Sequence, residues 1–98
     1  MRNRLLGKEH PDTICAMGNL ANTFWSLTKY ADAEKLHIKV LDLSNRLLGE
    51  EHLHTITAMN NLANTYDSLE KYADAEKLKI KVLNMRNRLL VRNLLSLR

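Results

Sequence analysis

The side chains of this chain best suited to ligate a metal or act as a nucleophile are His10, His37, His52, His54 and Cys15. A structural zinc site takes four nitrogen or sulfur ligands in close, regular spacing. Here only His52-x-His54 is closely spaced, no cysteine or carboxylate cluster accompanies it, and no metal site is expected. Cys15 is the only thiol; it allows no intrachain disulfide, and nothing suggests an oxidising compartment. No glycine-rich phosphate loop and no strained nucleophile turn is present. The residues therefore predict no catalytic group and no cofactor, and the chain is not expected to be an enzyme.

The chain has 98 residues with a net charge of +4, three Gly and one Pro. Such a composition, rich in Leu, Ala, Lys, Asn and Arg, favours helix over sheet. No segment approaches the ~20 apolar residues of a membrane span, and the first ten lack the apolar run of a secretion signal. An intracellular, cytoplasmic chain without membrane contact is expected. Basic residues are scattered among acidic ones except over 77–98, and that segment lacks the interleaved aromatics of a nucleic-acid surface. Nucleic acid is therefore not an expected partner.

What must position any binding residue is a repeat. Residues 14–41, ICAMGNLANTFWSLTKYADAEKLHIKVL, return as ITAMNNLANTYDSLEKYADAEKLKIKVL at 56–83, and about 30 of the 42 positions in the unit are identical. A period of this length marks stacked supersecondary units that cannot bury their apolar faces alone. In the first helix of each unit Ile14, Met17, Ala21 and Phe24, then Ile56, Met59, Ala63 and Tyr66, keep one buried stripe. Asp12 or Thr13, and His54 or Thr55, stand where N-caps belong. The second helix should run from about Tyr30 to Leu48, with Gly7 and Gly49 ending such helices at the C′ position. His37 is replaced by Lys79 in the second unit, which predicts a surface position for it. The expected organisation is the end of a truncated helix at 1–7, a first unit at 12–49, a second at 54–90, and a helical extension at 91–98.

The strings AMNNLANTY, KYADAEKL and NRLLGKEHPDT resemble the first helix, the start of the second helix and the inter-repeat turn of tetratricopeptide repeats. The resemblance is to the 42-residue form found in kinesin light chains. It implies an all-α, right-handed α-solenoid of two antiparallel helix pairs, whose first helices line a concave groove for peptides of other proteins. By the same resemblance Ala21, Ala33, Ala63 and Ala75 are points of close helix approach. Val40 and Val82 stand where alanine is common. Thr28 and Glu70 occupy the intra-repeat turn where glycine is usual.

In that frame Gly18, Asn22 and Trp25, with Asn60, Asn64 and Asp67 in the second unit, are the expected peptide-binding residues. Asparagine is a mediocre helix former, but its amide donates and accepts at once, which suits an extended peptide backbone. Asn19 and Asn61 are expected on the other side of the helix, bonded to neighbouring helices or loops. Ser26 and Ser68 replace the basic groups that clamp a terminal carboxylate in some relatives, so a free C-terminus is not implied as ligand.

A homodimer is the second expectation. After Gly49 the chain has neither Gly nor Pro, and residues 69–72 are good helix formers, so opening that turn would permit a domain swap. With Val91 where the repeat has glycine, the last helix should run on to about Leu97. Leu90, Val91, Leu94, Leu95 and Leu97 then extend an apolar stripe suited to self-association, unlike the polar cap usual on a terminal repeat.

Overall fold

The computed structural model describes residues 11–96, and these form four helices: α1 (Pro11–Ser26), α2 (Tyr30–Leu48), α3 (Leu53–Ser68) and α4 (Tyr72–Ser96). The helix end expected at 1–7, with Gly7, and the last stripe residue Leu97 lie outside the described residues. Pro11 opens α1, where its fixed φ suits the first helical position and its missing N–H is not needed. The start therefore falls one to two residues ahead of the expected caps. α3 starts early as well: its N-cap is His52, whose Nδ1 accepts from the His54 backbone N–H at 3.1 Å. An imidazole lone pair thus does what was expected of the His54 or Thr55 position.

α2 ends at Gly49, whose φ of 90° is open to glycine and strained for other residues, and whose N–H is shared between the Ser44 and Asn45 carbonyls. In α4 the equivalent residue is Val91, and the helix continues to Ser96. With Val91 in place of the turn-forming glycine, and with 92–94 and 96 also differing from the equivalent residues 50–52 and 54, six more helical residues follow.

The turns within each unit close differently. Lys29 N–H reaches the Phe24 carbonyl at 2.8 Å and Thr28 N–H the Trp25 carbonyl at 3.0 Å; Lys71 and Glu70 repeat both bonds to Tyr66 and Asp67. This is the Schellman arrangement, which puts its C′ residue in the left-handed region. Here those residues are Thr28, φ 61°, and Glu70, φ 63°. A left-handed residue other than glycine costs about 1–2 kcal/mol, and β-branched threonine is poorly suited to it. Thr28→Gly should therefore raise stability by about 0.5–1 kcal/mol, after the greater unfolded-state entropy of glycine is subtracted. Urea unfolding of the two chains checks this, and a lower midpoint for Thr28→Gly would refute it.

α1 packs on α2, α2 on α3 and α3 on α4. One apolar cluster joins Ile14, Val40, Leu43 and Ala58; the other joins Ile56, Met59, Val82 and Met85. Ala58 of α3 completes the core of the first unit, and Leu41 packs against both clusters. Ala21, Ala33, Ala63 and Ala75 are all buried where helices meet.

Equivalent positions in the two units differ in exposure. Leu62 is 3% exposed in the interface between units, whereas its equivalent Leu20 is 47% exposed on α1. At the other end Leu83 is 59% exposed, whereas its equivalent Leu41 is partly buried. The expected surface position of His37 is overturned in the same way: it is 2% exposed, while Lys79 in the equivalent place is exposed. α3 lies over that face of α2, and nothing among the described residues lies over the same face of α4. The residue type at the second site therefore reports on the end of the array rather than on the first site.

Candidate functional site

α1 and α3 barely touch each other, so the two helices leave a groove between them. Its floor is one stripe of α2: His37, Val40, Ser44 and Leu48, each about one helical turn from the next. One end holds a cavity of about 400 Å³ beside Gly18, reaching Asn19 on α1, Ala58 on α3 and His52 at the turn between units. The other end holds a cavity of about 270 Å³ among Trp25, His37, Asn64 and Thr65. Asn22 and Asn61, from opposite walls, border both cavities and so mark the middle of the groove.

Four of the six residues expected to bind peptide therefore share the groove: Gly18, Asn22, Trp25 and Asn64. The other two do not join them. Asp67 is ion-paired with Lys79 of α4 and borders a separate depression with Tyr72 and Leu83. Asn60 is half-buried on α3 and borders neither groove cavity. In the second unit these positions face the end of the array, where no further first helix follows among the described residues.

Asn19 and Asn61 correct the sequence reading in the opposite direction. Both border the groove rather than bonding to helices on the far side. The helical spacing of 100° per residue places Asn19 beside both Cys15 and Asn22, and a wider arc at the sequence level would have included it. His37 was missed for the reason given above, since its replacement by lysine resembled a surface exchange.

Trp25 closes one end of the groove. Its indole N–H donates to Ser68 Oγ across the groove at 3.2 Å, Ser68 Oγ donates in turn to the Asn64 carbonyl at 3.2 Å, and the Trp25 ring meets Tyr30 edge-on at 6.1 Å. Ser68, in the place of a carboxylate clamp, thus orients the tryptophan. At the other end the His52 and His54 rings stack at 5.1 Å. Among the described residues no three His, Cys, Asp or Glu side chains converge at ligand spacing.

Burial holds the His37 imidazole below its ordinary pKa, because the charged form would lose its hydration. The folded state then binds the proton less readily than the unfolded chain does. Stability from this residue is fully present above the unfolded pKa of about 6.5 and is lost as pH falls below it. The stability difference between the parent chain and His37→Gln should shift against the parent between pH 7.5 and pH 5. Parallel pH profiles for the two chains would refute this.

The one-sidedly basic segment is partly neutralised by its own fold. Lys81 pairs with Glu50 at 3.1 Å, and Arg88 and Arg92 pair with Glu51 at 3.7 and 2.7 Å. These exposed pairs contribute little stability each, but they tie α4 to the turn between α2 and α3.

No helix among the described residues is long and apolar enough to cross a membrane. No curated protein matches the chain in sequence. Residues 12–88 match the family model of the tetratricopeptide repeat, a span that begins in the first turn of α1 and ends within α4. Two helix pairs, alanines at the close approaches and an amide-lined groove between the first helices agree with that match, and the chain belongs to the tetratricopeptide repeat family.

Proposed function

We propose that the chain is a non-catalytic interaction module that holds an extended peptide segment of another protein in the groove between α1 and α3. Tetratricopeptide repeats generally mediate protein–protein interactions. The observation that carries the specific reading is the facing of Asn22 and Asn61 at mid-groove, with Asn64 and Trp25 further along. Their amides can pair with both the N–H and the C=O of a peptide backbone, and the apolar floor accepts side chains. Right-handed stacking and kinship with the kinesin-light-chain form belong to this proposal, the latter resting on the 42-residue period and the NRLLG turn.

Peptide display against the whole chain tests it. Selected peptides should lose about 5- to 100-fold in affinity on the double change Asn22→Ala and Asn64→Ala, as expected for losing two hydrogen bonds. The melting temperature of the variant should hold, because both residues are exposed. Failure to select any peptide, or selected peptides indifferent to both changes, would refute the groove.

A second reading, a homodimer swapped through residues 69–72, draws support from the left-handed Glu70. Opening the turn into continuous helix would relieve that residue, and Leu90, Val91, Leu94 and Leu95 are each more than half exposed. Light scattering should then show a dimer that Glu70→Gly shifts toward monomer. A monomer at every concentration would exclude it.

A further inference from the structure

We propose that the cavity beside Gly18 is an anchor pocket for a glutamine-like side chain of the bound segment: a short apolar stem ending in an uncharged primary amide. The proposal rests on the groove reading above and assigns one subsite within it.

Gly18 is the first observation. It lies in the interior of α1, where glycine is destabilising relative to alanine. No local geometry accounts for it: its φ is not positive, and an added Cβ would meet nothing within 4 Å. A conformational demand or a close approach usually explains such a glycine, and among the described residues neither is found. What the missing side chain does here is keep open a cavity of about 400 Å³, within the range of ligand pockets, ~300–1,000 Å³. In the second unit the equivalent residue is Asn60, which borders neither groove cavity.

Ser44 is the second and independent observation. It is fully buried on the floor of this cavity, and its Oγ has no hydrogen-bond partner. A buried hydroxyl without a partner is costly to the fold. The hydroxyl has no surface open to the cavity as it stands, so a ligand group at the floor would satisfy it once the Ser44 side chain turns toward the cavity.

The lining defines the rest of the chemistry. Ile14, Val40, Leu48 and Ala58 form apolar walls, and the amides of Asn19, Asn22 and Asn61 stand around them. Among the described residues no Asp, Glu, Lys or Arg borders the cavity; its ionisable rim groups include His54 and His52, the latter with Nδ1 already accepting from the His54 backbone N–H. A charged side chain would therefore lose its hydration without meeting an Asp, Glu, Lys or Arg counter-ion. A purely aliphatic side chain would fill the walls but leave Ser44 unsatisfied. A primary amide donates and accepts at once, and it matches both the hydroxyl of the floor and the surrounding amides.

Butanamide and butanoate, the capped equivalents of glutamine and glutamate side chains, test the pocket on the intact chain by amide NMR. Butanamide should shift the Gly18 and Ser44 signals saturably, and butanoate should bind at least tenfold more weakly. Ser44→Ala should weaken butanamide about fivefold, the effect of one lost hydrogen bond, with the fold at least as stable. Gly18→Leu should abolish butanamide binding while its melting temperature stays equal or rises, since the added side chain enters open space. Gly18→Asn, which carries the residue of the second unit, should block the pocket as well. Equal binding of the two probes, or unchanged butanamide binding in the folded Gly18 variants, would overturn the proposal. Display-selected peptides separate its failure from that of the groove. Peptides sensitive to Asn22 and Asn64 but indifferent to Gly18→Leu would sink the pocket and leave the groove standing. The absence of any groove-dependent peptide would sink both.

Discussion

Lysine in place of His37 is expected to destabilise the chain by about 2–4 kcal/mol, the range for a buried charge left without a partner. The reverse exchange, Lys79→His, should change stability by less than about 1 kcal/mol, since it removes only an ion pair near the surface. The two positions are equivalent in the repeat and carry the same backbone conformation in the same helix type. They differ in what covers them: α3 lies over His37, while Lys79 reaches solvent and pairs with Asp67. An ammonium at residue 37 would sit on the groove floor beside Asn61, Asn64 and Thr65, with no carboxylate among the described residues around that cavity. For a domain of this size, whose total stability is on the order of 5–15 kcal/mol, such a loss moves the urea midpoint far toward zero. Equal losses from the two exchanges would show that the ends of the array are not distinct.

Ile56→Ala should cost about 2–5 kcal/mol, the range for truncating a large buried aliphatic side chain. Ile56 is fully buried and packs with Met59, Val82 and Met85. The cavity left behind would lie between α3 and α4, where both helices are fixed by their Schellman turn and neither can close in freely. Leu83→Ala removes as much side chain but should cost no more than about 0.5 kcal/mol, because Leu83 is largely exposed at the end of the array. Denaturant unfolding of the pair checks the contrast. A large loss at Leu83 would instead reveal that a second chain covers α4 in solution, which would favour the dimer reading.

The repeat itself was legible from residues because identity at about 30 of 42 positions leaves few alternatives. The helix period, the alanines at close approaches and the glycine that ends α2 each state a local rule, and local rules need no tertiary knowledge. Val91 illustrates this well: losing the glycine was enough to predict the long α4 that the fold shows to Ser96. The caps were less legible. Serine, threonine and aspartate are the usual N-caps, and only the fold shows an imidazole nitrogen taking that part at His52.

The resemblance placed Gly18, Asn22, Trp25 and Asn64 in the groove, but how far round each helix the groove extends was decided by tertiary structure. Asn19 and Asn22 both lie on the polar arc of α1, and periodicity cannot tell which part of that arc α3 will face. The pairing of α2 with α3 puts Asn19, Asn22 and Asn61 along one channel, leaves Asp67 with Lys79 beyond it, and buries His37 in the floor. Sequence identity between units implies equal environments, yet among the described residues one pair of faces meets in an interface while the equivalent faces of α1 and α4 are uncovered. By itself the sequence determined the helices, their pairing and their period, because these follow from contacts close along the chain. The tertiary structure decided which copies of the same residue are buried, paired or open to a ligand, because burial depends on a neighbouring unit that a single repeat cannot specify.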